Sequence, residues 1–184
     1  MKTGRLRPSL LLSSSMIDLD EHRFQCDIED LLALPELASS RDRVHHYDLT
    51  EFDHLLSVAR NAHRLSRLVK ADARICARAG LLHDLGAHWF NTVAPCALAE
   101  RLDEPHAVRH AIRSHTVVPH LPRSREAWIV VAADFLATAQ ETQFVLRRSR
   151  LRAGQALREN ITRRRAVIVG LAALRSRPPA VAVN

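Results

Sequence analysis

The order of apolar and polar positions predicts helices along most of the chain. In "LTEFDHLLSVARNAHRLSRLV" the residues Leu55, Val58, Ala59, Ala62, Leu65 and Val69 recur every three or four positions, which defines one helical face for a core. Thr50 stands just ahead as an N-cap. His54, four residues before Val58, falls on the edge of that face. A second helix, about 71–84, buries Ile75, Cys76, Ala79 and Leu82, and Gly86 supplies its stop. His83 follows Ala79 by four, so the buried stripe runs into His83 and Asp84.

Upstream, residues 18–38 or so read as a short helix with a break at Pro35, preceded by a flexible tail over 1–17. Three leucines in that tail fall short of the roughly 7–15 residue apolar core of a signal peptide. Downstream, "GAHWFNTVAP" reads as a connection. A shorter helix opens near Pro105 with an apolar face of Val108, Ala111 and Ile112, which His115 extends. Pro119 and Pro122 make the next break, and Ser124 caps a long helix. That helix opens with "AWIVVAADFLA", residues 127–137, apolar on all sides and therefore expected to be buried all round. It is too short for a membrane span, which takes about 20 apolar residues. An isolated carboxylate there costs several kcal/mol, so Asp134 requires a partner.

Composition changes this picture little. With 184 residues, 47% hydrophobic, the chain can bury one sizeable core, and the scarcity of aromatics and glycine supports an all-α class. The organisation expected is a helical domain over 18–146 followed by a basic C-terminal helix and disordered end over 147–184. Residues 147–177 carry ten arginines against one acid, Glu159. That excess reads first as a solvated helix face whose apolar side packs on the domain; with the net charge of +7 it also makes nucleic acid the next candidate, as a partner through the C-terminus. Cys26, Cys76 and Cys96 are scattered, form no C-x-x-C pair and fit a reduced cytoplasm.

Four candidate ligands lie on or beside the buried faces of three helices: His54, His83, Asp84 and Asp134. Imidazole nitrogen mixed with carboxylate oxygen suits Mn, Fe, Co or Ni, and less readily Mg or Zn. A divalent cation would compensate Asp134 inside a helical core. Blander readings stay open at this point. Asp134 can pair with an arginine, His83 can sit at a helix C-terminus favoured by the dipole, and His54 can be a satisfied core histidine. His63, His110 and His120 are expected on the surface.

The same residues resemble the HD-domain superfamily of metal-dependent phosphohydrolases. "HLLSVA" is similar to the family's first-histidine helix, "LLHDLG" to its His-Asp signature, "AIRSHT" to a later histidine segment and "VAADFL" to its final aspartate helix, in the family's order. The resemblance implies an all-α HD-type bundle with His54, His83, Asp84 and Asp134 as metal ligands and Asp84 in a catalytic role. It also implies His115 at a second metal or the substrate, with Arg43 and His46 upstream as phosphate contacts. The activity implied is hydrolysis of a small phosphoester such as a nucleotide. Two departures, Ala87 and Phe135 where many members carry basic residues, keep a non-catalytic module that binds a nucleotide or nucleic acid as the alternative.

Overall fold

The computed structural model describes residues 8–46, 49–86 and 92–175, with side chains described at 19–44, 49–86, 92–155 and 158–159. Among the described residues the helices are α1 (Pro8–Leu32), α2 (Pro35–Ser39), α3 (Glu51–Leu68), α4 (Ala73–Leu82), α5 (Val93–Arg101), α6 (His106–Ser114) and α7 (Arg125–Arg175). A short antiparallel ribbon of β1 (Val44–His46) and β2 (Leu49–Thr50) leads into α3. The fold is all-α, as the apolar periodicity predicts.

Helix starts follow the capping chemistry. Thr50 accepts from the Asp53 backbone while Asp53 reaches back to the Thr50 N–H, a reciprocal capping box that satisfies two otherwise unpaired donors of α3. Asp72 caps α4 through the Ile75 N–H, and Ser124 caps α7 through the Ala127 N–H.

Two compact units divide the chain, Met1–Glu141 and Thr142–Asn184. In the first, Leu55, Ala59, Ala77, Leu81, Leu82, Ile112 and Val130 are fully buried in one core. Each such Leu, Ile or Val contributes roughly 1.5–3 kcal/mol by leaving water. Gly80 sets how closely α3 and α4 meet: a Cβ there would stand 2.9 Å from the Ala59 Cα. No other residue fits without separating the two helices that carry His54 and His83. The second unit is the continuation of α7, where Arg147, Arg150, Arg152 and Arg158 are exposed.

Four expectations need correction. The opening of α7 is not buried all round: Ala127, Val130, Ala133 and Ala137 face the core, while Trp128 is 53% and Phe135 77% exposed. His63 is not on the surface but 4% exposed, its ring edge-on to Phe24 at 5.5 Å. The connection after Gly86 contains α5, whose helix period is obscured by Pro95 in its first turn. Finally, α1 begins at Pro8, within the segment read as a tail.

By length and composition alone, Arg125–Gln155 is one helix able to cross a membrane. Its inner face is committed to the core.

Candidate metal centre

Asp134 finds its partners in imidazoles rather than in an arginine. Its Oδ1 lies 3.3 Å from His54 Nε2 and 4.0 Å from His83 Nε2. Among the described residues His54, His83 and Asp134 form a group whose donor atoms all fall within 4.8 Å of one another. Donors bound side by side at about 2.0–2.2 Å from an ion stand roughly 3–3.5 Å apart, so these spacings fit one divalent cation after small rotamer shifts.

Local structure fixes which nitrogen each histidine presents. His83 sits at the C-cap of α4, where its Nδ1 donates to the Gly80 carbonyl at 2.8 Å, leaving Nε2 to face Asp134. His115 repeats the device at the C-cap of α6, donating from Nδ1 to the Ile112 carbonyl at 2.8 Å. His54 uses a carboxylate instead: its Nδ1 donates to Glu141 Oε1 at 2.9 Å. A ring held through one nitrogen offers the other in a defined direction, the usual arrangement around metal-binding histidines.

The imidazoles form a contiguous series. The His54 and His83 ring centroids are 5.7 Å apart, and His115 stands edge-on to His83 at 4.9 Å. Beyond it, Asp84 Oδ1 is 4.0 Å from His115 Nε2. The order through space is thus Glu141, His54, Asp134, His83, His115, Asp84. Asp84 stands at the His115 end, outside the three-donor group.

Electrostatics follow this order. Burial works to lower the His54 pKa, but the hydrogen bonds its ring donates to Asp134 and Glu141 outweigh it and raise the value to about 9. Asp134 is held down at about 2: burial opposes the shift, and the His54 hydrogen bond with the neighbouring imidazoles overcomes it. His83 moves the other way, to about 4, because it is fully enclosed and lies beside His115. A cation entering among these groups therefore meets one neutral imidazole and displaces a proton from the other.

Glu141 and Glu51 escape the sequence reading. Glu141 follows Asp134 by seven, two helical turns along the same face of α7, a spacing that could have pointed to it. Glu51 Oε1 accepts the Gly86 N–H at 2.8 Å and so ties the start of α3 to the turn after Asp84. Gly86 takes φ +71°, which a Cβ would oppose although space is free. Arg43 is engaged away from the series, with Glu51 Oε2 and with Ser39 Oγ at 2.9 Å. His46 pairs by its backbone with Leu49, and its side chain lies outside the described residues, as does Ala87.

Residues 52–139 match the family model described as HD domain. Over these residues the chain carries an HD domain. The matched span opens at Phe52 and contains every member of the series except Glu141, two residues past its end. The HD chain is 38% identical over 121 residues to the Ribonuclease Y of Cutibacterium acnes (strain DSM 16379 / KPA171202), covering 62% of this chain and 22% of that one. It is 32% identical over 130 residues to the Ribonuclease Y of Thermoanaerobacter pseudethanolicus (strain ATCC 33223 / 39E), covering 66% and 25%. The chain thus spans about a quarter of the length of these curated relatives. No solved structure gives a significant match.

Proposed function

We propose that the HD domain is a divalent-metal-dependent phosphohydrolase acting on ribonucleotide phosphoesters, either a nucleotide or a short RNA. The observation that carries this reading is the convergence of His54, His83 and Asp134 from α3, the end of α4 and α7 on one space. The curated relatives' name, Ribonuclease Y, favours a phosphodiester of RNA within that class. A bound divalent ion would supply Lewis acidity toward a phosphoryl oxygen and a water of lowered pKa.

The chain's own residues do the rest. His54, His83 and Asp134 would hold the ion, with Glu141 and the Gly80 carbonyl orienting the two rings. Asp84, half-buried beside His115, is the carboxylate assigned to proton acceptance. His115 presents Nε2 toward it and is suited to a phosphate oxygen or a second ion. Free Cys26, Cys76 and Cys96 accord with work in a reduced cytoplasm.

The test is turnover by the full chain supplied with Mn or Ni on bis-p-nitrophenyl phosphate, p-nitrophenyl phosphate, a nucleotide and a short oligoribonucleotide. Chelation and Asp134→Asn should each abolish hydrolysis. Stoichiometric metal with no turnover of any phosphoester would support the non-catalytic binding module, which the exposed Phe135 beside Asp134 favours because it supplies no charge for a phosphate.

A further inference from the structure

A cavity of about 570 Å³ opens among α6, the loop that follows His115 and the start of α7. His106, His110 and Arg113 line it from α6, with His120, Arg123 and Ser124 from the loop. Positions 106, 110 and 113 share one helical face. His115, five residues beyond His110, lies about 140° away around the helix. The cavity and the histidine–carboxylate series therefore use different sides of α6.

Its chemistry is one-sided. No carboxylate is among the described residues lining it. The His106 and His110 rings lie parallel, 6.4 Å apart at an interplanar angle of 2°. His110 Nε2 accepts the Arg123 N–H at 3.0 Å, which pins the loop to the helix and, in the neutral ring, leaves the proton on Nδ1. Burial first, then the charges of His106, Arg123 and Arg113, hold His110 below its usual range, as expected among cations with no counter-ion. Glu100 of α5 faces this group, 3.7 Å from Arg113; both are exposed and the pair is weak. Ser124 adds a second, independent source of positive potential. Its Oγ accepts the Ala127 N–H at 3.1 Å and its carbonyl the Trp128 N–H at 3.2 Å, so the positive end of the α7 dipole forms part of the wall.

Other occupants fit less well. The three histidines are absent from the group whose donors converge to ligand spacing, so a metal has no preformed place here. An apolar molecule would have to desolvate two guanidinium groups. We propose that this cavity binds a phosphate group, as the terminal phosphate of a nucleotide or a phosphodiester of an RNA strand, at a site separate from the HD cluster.

The full chain, freed of metal by chelation so that the cluster contributes no cation, is titrated with inorganic pyrophosphate and separately with an oligoribonucleotide lacking terminal phosphates. The imidazole NMR signals of His106, His110 and His120 should shift on binding. Arg113→Ala with Arg123→Ala should weaken binding about tenfold or more. The same charge loss elsewhere, by Arg23→Ala with Arg64→Ala, should change it less than about twofold. Tighter pyrophosphate binding identifies a terminal phosphate as the source, and tighter oligonucleotide binding a phosphodiester; either supports the site. Unmoved imidazoles, or equal losses in the two double variants, overturn it.

Discussion

Arg78 and His83 lie five residues apart and both carry ionisable groups into the interior, yet their surroundings differ in kind. Arg78, 7% exposed, is saturated by its neighbours. It donates to Asp30 Oδ1 at 2.6 Å and Oδ2 at 2.8 Å, to both Glu104 oxygens from Nε at 3.0 Å, and to the Asp27 carbonyl at 3.1 Å. Around His83 the groups instead converge on a space. The Asp134 side chain is 33% exposed, and Glu141 Oε2 is buried without a hydrogen-bond partner. A closed network fixes α1, α4 and the turn before α6 together; an open one is completed from outside. The difference separates a structural ion group from a functional one, although both contain buried charge.

The largest effect that separates them is on folding. Arg78→Leu leaves Glu104, 2% exposed, as an unpaired buried carboxylate, and should lower stability by about 3–5 kcal/mol. Urea unfolding measures this, and metal occupancy of the folded fraction should be unchanged. Asp134→Asn is the mirror case: metal affinity should fall by more than about a hundredfold, beyond the loss usual for an outer partner, with helix content retained. If Asp134→Asn instead unfolded the chain while Arg78→Leu released metal, the two assemblies would have been assigned the wrong way round.

Glu141 tests whether the open assembly has an outer layer. Glu141→Ala removes the acceptor that orients His54 Nδ1, and metal affinity should drop about tenfold. Glu141→Gln keeps an amide oxygen at that place and should restore most of the loss. Equal losses in the two variants would mean that the carboxylate charge matters rather than its grip on the ring.

The two assemblies were also unequally legible in the sequence. The i, i+3, i+4 pattern around His54, the stripe ending at His83 and the acid inside "AWIVVAADFLA" locate the open cluster because each is a polar residue on an apolar face. Arg78 and Glu104 give no such signal: one arginine among 24 others and an acid before Pro105 look like ordinary surface residues. Only the tertiary approach of α1 and the α5–α6 turn encloses them. The same limit applies to Arg43, which the family resemblance implies as a phosphate contact while its side chain pairs with Glu51. It also explains why α7 seemed buried all round, since periodicity reports apolar positions but not whether a neighbour covers them.

The smallest effect is on pH dependence, and it is specific to the open assembly freed of metal. His54 is raised from 6.5 to about 9, so its contribution is complete below pH 6.5 and is lost as pH rises through about 9. His83 is lowered from 6.5 to about 4, so its contribution is complete above pH 6.5 and is lost as pH falls toward about 4. His63, held below its usual range by burial, adds to that lower limb. Asp134, lowered from 3.8 to about 2, matters only at still lower pH, and its gain is the His54 pair seen from the other side. The chelated protein should therefore be most stable near pH 6.5, with the urea midpoint declining in both directions. Bound metal should flatten the alkaline limb, because His54 is then already deprotonated at Nε2 and no longer titrates. A midpoint that rose steadily to pH 9, with or without metal, would show that His54 carries no proton between Asp134 and Glu141.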